Sequence, residues 1–257
     1  MGPPTETPTI VMVQGSFQLP DAYYKLDDAL RALGYPVVHP LLPSLTDRET
    51  PDFATKSLTD DALAIRSEVE RLVEQGEKVF VVMHSYGGLV GTEAVTRALS
   101  FDERQHARLP GGVVHLFYIA AFILPTGQSV LDAFGESPNN DVKPDGRFTI
   151  KNAANILYHD LPDVEVQEWE SKIIDQSYAV QKTKMTNEAF GFVKSTYVVC
   201  ENDRGPPPMY QEKFGEMAGS KIQKINSGHS PMLSHTAELT RMIDQVVKSV
   251  IETGAQI

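Results

Sequence analysis

The stretch from Lys78 to Val90 reads KVFVVMHSYGGLV, an apolar run that ends in a histidine, a serine, a tyrosine and two glycines. Valine and phenylalanine in continuous succession favour a buried strand, and the segment that Gly87 opens has helical character. A serine held at so tight a strand-to-helix turn occupies a sparsely populated backbone region, at a cost on the order of 1–3 kcal/mol, and needs small neighbours. Gly87 and Gly88 supply that room, whereas Met83 stands two residues before Ser85 where the G-x-S-x-G pattern has glycine. A turn of this kind presents the Ser85 hydroxyl at the strand's C-terminal end, with the Tyr86 N–H facing the place where an oxyanion would form. The ordinary alternative is a buried strand followed by a glycine-rich turn.

Outward from this stretch the chain alternates strands and helices. Ile10–Val13 is an apolar run before the turn Gln14-Gly15-Ser16-Phe17, and Asp21–Leu33 carries apolar residues at helical spacing up to Gly34 and Pro36. Pro36–His39 reads as a brief strand, Leu41–Thr55 as a proline-containing loop, and Leu58–Leu72 as a helical face capped by Gly76. A helix over Gly87–Leu99 and a strand over Gly112–Ala121 follow. This order implies a mostly parallel sheet with helices on both faces, an α/β fold. From about Pro125 to Lys194 the chain turns polar and irregular, with a helical fragment at Val164–Tyr178 and scattered aromatics. The α/β rhythm then resumes with strands at Thr196–Cys200 and Lys221–Ile225 and helices at Met209–Met217 and Met232–Ile251. The expected organisation is a loose tail at 1–8, a core formed by 9–124 and 195–257, and a cap inserted at 125–194.

The chain has 257 residues, enough for a sizeable core, and no apolar stretch reaches the roughly 20 residues that span a bilayer. With a net charge of −11 and scattered lysines and arginines, it offers no basic groove for phosphates, so a nucleic-acid partner is not expected. A single cysteine, Cys200, excludes an intramolecular disulfide, and the start MGPPTETPT has neither the basic nor the apolar part of a signal peptide, so a cytoplasmic location is the expectation.

Ligands of such sheets bind beyond the carboxyl ends of the strands, which makes those loops the places to look for chemistry. In Asn226-Ser227-Gly228-His229-Ser230-Pro231, His229 follows a strand end and can serve as a base toward Ser85. His235, six residues on, competes; His84 points to the opposite face from Ser85 and is expected to pack or hydrogen-bond beneath the site. The loop after Cys200 offers Glu201, Asn202 and Asp203, of which Asp203 stands furthest past the strand; Asp132 and Glu136 are weaker alternatives. The resulting chain order is nucleophile Ser85, acid Asp203, base His229. The second oxyanion donor is expected from the Ser16 N–H, beside that of Tyr86. His159, Asp160 and Asp163 could be metal ligands, but a plain polar loop is the preferred reading.

On the stretches QGSFQLPDAYYKL, VVMHSYGGLVGTEA, STYVVCENDRGPPPMYQ and NSGHSPMLSH, the chain resembles the α/β-hydrolase superfamily, in the compact branch of plant methylesterases and hydroxynitrile lyases, and looks closest to its fungal members. The resemblance implies an α/β-hydrolase fold with a helical cap and a Ser85–His229–Asp203 triad working without cofactor or metal. Gln14 stands where many relatives have histidine. Lyases of the branch carry a threonine and a lysine where this chain has Gly15 and Ser230, which favours an esterase or lactonase. The expectation is therefore hydrolysis of a small, fairly apolar ester or lactone in secondary metabolism, with Phe17, Tyr158 and Trp169 as pocket walls. A lyase-type catalyst and a ligand receptor with little turnover are the alternatives. The partner expected is a small molecule, with neither nucleic acid nor membrane, and a homodimer stays open.

Overall fold

The computed structural model describes residues 7–46 and 50–254. The expected tail thus lies, for residues 1–6, outside the described residues, and Pro8 is already buried. In chain order, β1 (Thr9–Val13) leads to α1 (Tyr24–Ala32), β2 (Val37–Val38), α2 (Leu58–Glu74), β3 (Lys78–His84), α3 (Gly87–Ala94), α4 (Phe101–His106) and β4 (Gly112–Ile119). Next come α5 (Val130–Phe134), β5 (Asn140–Val142), β6 (Arg147–Ile150), α6 (Ala153–Leu157), α7 (Asp163–Ser171), β7 (Gln176–Ser177) and α8 (Ala179–Lys182). The chain ends with β8 (Ser195–Cys200), α9 (Pro208–Met217), β9 (Lys221–Ile225), α10 (Pro231–Ser234) and α11 (Thr236–Gly254).

Six strands form one parallel sheet in the order β2-β1-β3-β4-β8-β9. Its central strands are largely apolar in succession because both faces are covered. Val11, Val81, Tyr118 and Tyr197 face one cluster, packed with Ile65 and Val69 of α2, Val90 of α3 and Phe214 of α9. Ile10, Phe80, Phe117 and Val198 face the other, packed with Leu26 and Leu30 of α1 and Ile243 and Val247 of α11. The strands β5, β6 and β7 make a separate antiparallel sheet between β4 and β8 in the chain.

Several boundaries differ from the sequence reading. The strand expected over Pro36–His39 is only Val37–Val38, since His39 turns aside to bond Asp27 and Gln14 at 3.1 Å each. The helix expected to reach Leu99 stops at Ala94. There the Arg66 guanidinium donates to the carbonyls of Glu93 (2.8 Å) and Ala94 (2.9 Å), and the Asn187 amide to those of Thr92 (2.8 Å) and Val95 (2.7 Å). These donors satisfy carbonyls that a helix end leaves open. The fragment expected as helix over Val164–Tyr178 ends at Ser171, because Gln176 pairs with Phe148 in the small sheet. The last helix is broken at His235 into α10 and α11.

Candidate active site

Ser85 sits just past β3 with φ +53°, a left-handed conformation costly for a non-glycine residue. Its N–H donates to the Ile119 carbonyl at 3.1 Å, while its own carbonyl accepts the N–H groups of Gly88 and Phe122 at 3.0 Å each, so the turn is held from β4 and from α3. The two glycines are demanded by contact. A Cβ on Gly87 would lie 2.3 Å from the Val13 carbonyl oxygen, and one on Gly88 would lie 2.5 Å from that of Phe122. Met83, the departure from the motif, is accommodated by α3. A Cβ on Gly91 would come within 2.3 Å of Met83 Sδ, so the missing side chain of α3 houses the extra one of β3.

His229 and Asp203 converge on this serine from the loops after β9 and β8. His229 Nε2 lies 3.1 Å from Ser85 Oγ, and His229 Nδ1 lies 2.8 Å from Asp203 Oδ2. A carboxylate can only accept, so Nδ1 carries the proton and Nε2 is left to accept from the hydroxyl. Ser85, Asp203 and His229 are all buried. Asp203 is itself oriented: Oδ1 accepts the Gly205 N–H at 2.7 Å and Oδ2 accepts from Gln211 Nε2 at 2.8 Å. Gln211 also donates to the Pro206 carbonyl (2.8 Å) and accepts the Cys200 N–H (2.9 Å), which ties the acid to the end of β8. Sequence reasoning passed over Gln211, because its partners lie in the loop after β8 and at the end of that strand.

None of the competing carboxylates is bonded to His229 among the described residues. Asp132 caps α5 with Ser129, Glu136 accepts from Tyr178 Oη at 2.5 Å, and Glu201 is exposed. His235 Nδ1 is paired with Ser234 Oγ at 2.9 Å. Cys200 is buried, and burial pushes its thiol far up, which leaves it inert as a nucleophile. His84 lies beneath the site, as expected: Nε2 donates to the His229 carbonyl at 2.8 Å, leaving Nδ1 to accept from Tyr23 Oη at 2.7 Å. Burial, with the adjacent His229 ring adding to it, holds the His84 imidazole well below its usual range, so it is neutral.

The N–H groups of Ser16 and Tyr86 have no protein acceptor among the described residues, and both residues line the same cavity as Ser85 and His229. The Tyr86 hydroxyl donates to Asp61 at 2.7 Å. Burial raises the Asp61 carboxyl to about 6, although Ser44 and Tyr86 donate to it. The cavity has a volume of about 400 Å³. Phe17, Leu89, Phe122, Phe148 and Phe214 form much of its wall, which Glu136, Asn139 and Asn140 also line. Phe17 is where the sequence reading put it, but Tyr158 and Trp169 do not line the cavity. Tyr158 is buried behind it, accepting from Gln18 Nε2 at 2.8 Å, and Trp169 is packed against Tyr24 and Lys172.

The profile of the alpha/beta hydrolase family matches residues 10–242, nearly the whole described chain. The chain belongs to the alpha/beta hydrolase family. This hydrolase is 28% identical over 254 residues to alpha/beta hydrolase nvfD of Aspergillus novofumigatus, covering 95% of this chain and 98% of that one. It is 24% identical to methyl jasmonate esterase 1 of Vitis vinifera, over 93% of this chain and 96% of that one. A methylesterase from Arabidopsis has the same fold, with a TM-score of 0.74 at 19% identity over 94% of this chain and 99% of that one.

The fold places the three residues, Gln14, Gly15 and Ser230, at which the sequence reading marks departures from relatives. Gln14 is buried with its Oε1 3.1 Å from His39 Nε2. Ser230 is fully buried, and the Gly15 N–H donates to Tyr23 Oη at 2.8 Å. No helix among the described residues is long and apolar enough to cross a membrane.

Proposed function

We propose that this hydrolase cleaves a small, fairly apolar carboxylic ester or lactone through an acyl-enzyme on Ser85. The observation that carries the reading is the continuous line from Asp203 through His229 to Ser85 Oγ, at 2.8 and 3.1 Å, opening into an aromatic-walled cavity. In this reading Ser85 Oγ attacks the substrate carbonyl as His229 Nε2 takes its proton. The oxyanion is held by the N–H groups of Ser16 and Tyr86, and the imidazolium is stabilised by Asp203. His229 returns the proton to the leaving alcohol, then activates a water that releases the acid. Methyl esters are the first class to try, because methyl jasmonate esterase and a methylesterase are among the similar proteins. Gly15 and the buried Ser230, which carry neither hydroxyl nor ammonium into the cavity, support ester hydrolysis over cyanohydrin cleavage.

Hydrolysis of p-nitrophenyl acetate and butyrate tests the proposal, with Ser85→Ala and His229→Ala alongside. Turnover is expected in the wild type and should fall by a factor on the order of 10⁴–10⁶ in either variant, with circular dichroism unchanged. Turnover that survives both substitutions would refute it.

A further inference from the structure

The segment 155–160 touches three of the four loops that supply the candidate site, all but the Ser85 turn itself. Tyr158 Oη accepts from Gln18, just past the Ser16 turn, at 2.8 Å. Asn155 Oδ1 accepts from Arg204, next to Asp203. Asp160 Oδ2 accepts the Gly228 N–H, next to His229, at 2.6 Å. The third contact falls nearest to the chemistry. The loop that bears His229 is fixed from the core on either side of Gly228, through Ser227 by its bond from the Asn202 N–H (3.0 Å) and through the His229 carbonyl by His84 (2.8 Å). At Gly228 the partner is instead a carboxylate of the inserted segment. The fit is close, since a Cβ on Gly228 would lie 2.7 Å from Asp160 Oδ1 and 2.7 Å from His159 Cε1.

We infer that Asp160 is a positioning residue for His229, holding the base loop so that Nε2 stays in reach of Ser85 Oγ. The inference rests on the catalytic reading of Ser85 and His229. Asp160, considered above only as a metal-ligand candidate, thereby makes seating of the segment over the core and alignment of the base one event. A hydrogen-bonded carboxylate beside the loop acts on proton transfer and not on substrate burial, because Asp160 is absent from the cavity wall. A misplacement of about 1 Å at a reacting group can lower a rate by about 10²-fold.

The test compares Asp160→Ala, Asp160→Asn and Gly228→Ala on p-nitrophenyl acetate, and records the low-field proton signal of His229 Nδ1–H, assigned by its loss in His229→Ala. Asp160→Ala should lower kcat by roughly 10–100-fold with KM within about twofold, and should shift or broaden the proton signal. Asp160→Asn keeps an acceptor for the Gly228 N–H and should restore both readouts. Gly228→Ala, which pushes from the other side of the same contact, should reproduce the alanine phenotype even if Asp160→Ala does not fold. An unchanged proton signal in Asp160→Ala and Gly228→Ala, or equal loss in the alanine and asparagine variants, would overturn the role of Asp160. Absence of ester turnover in the wild type would instead refute the hydrolytic reading, while the proton signal would still decide the positioning role.

Discussion

Gln211 spends one amide on three partners, Asp203, the Pro206 carbonyl and the Cys200 N–H, all from a fully buried position. Replacing it with leucine strands the Cys200 N–H and leaves the Asp203 carboxylate held only by the Gly205 N–H and His229. Gln211→Leu should therefore lose about 1–3 kcal/mol in urea unfolding and about tenfold or more in kcat on p-nitrophenyl acetate. Unaltered kcat would remove Gln211 from the set of residues that orient the acid. At this scale the sequence discloses what sits at a strand end in a recognisable pattern, as Ser85, His229 and Asp203 do. It does not disclose Gln211 or Asp160, because their partners lie on other elements and a buried glutamine on a helix looks like a surface one until the fold is known. Tyr158 and Trp169 misled for the converse reason. An aromatic in an inserted segment has two buried environments to choose from, the cavity wall and the packing behind it, and composition does not distinguish them.

Among elements, α3 packs closely on β3, the two that flank the serine turn. Gly91 leaves the volume that Met83 fills, so the two positions should be energetically coupled. Gly91→Ala should destabilise the fold by about 1–3 kcal/mol through overpacking, and in a Met83→Ala background the penalty should fall by at least about 0.5 kcal/mol. Equal penalties in both backgrounds, measured by chemical denaturation, would show that the pairing is incidental. The long parallel strands were legible because strands buried on both faces are written as unbroken apolar runs, VFVVM in β3 being an example. The end of α3 was not legible, since Arg66 and Asn187 reach it from 27 residues or more along the chain. The small sheet was hidden too: its strands are short, and Asn140–Val142 is largely polar.

For the whole molecule, buried titratable groups set how stability responds to acid. His115 lies in the sheet, bonded to Thr196 Oγ1 at 2.9 Å and stacked on Phe80, and burial lowers its imidazole from 6.5 to about 4. Its folded value is depressed, so the unfolded chain takes up the proton first, and the stability present above pH 6.5 drains away as pH falls toward 4. From this group alone, unfolding free energy should drop by roughly 2–3 kcal/mol between about pH 7 and about pH 4.5. His84 acts in the same direction, whereas Asp61, raised to about 6, favours the folded state on acidification below that value. His115→Gln, compared with wild type at the two pH values, should lose roughly 2–3 kcal/mol less; an identical loss would contradict the assignment. The proposed activation of Ser85 is a property of the molecule as a whole, because it requires strand ends from across the sheet to meet. Its most direct test is covalent: incubate the protein with a fluorophosphonate, weigh it intact and map the adduct. Activation of Ser85 by His229 predicts a single adduct on Ser85, absent in Ser85→Ala and formed far more slowly in His229→Ala. An adduct elsewhere, or one on Ser85 that forms as fast without His229, would contradict it.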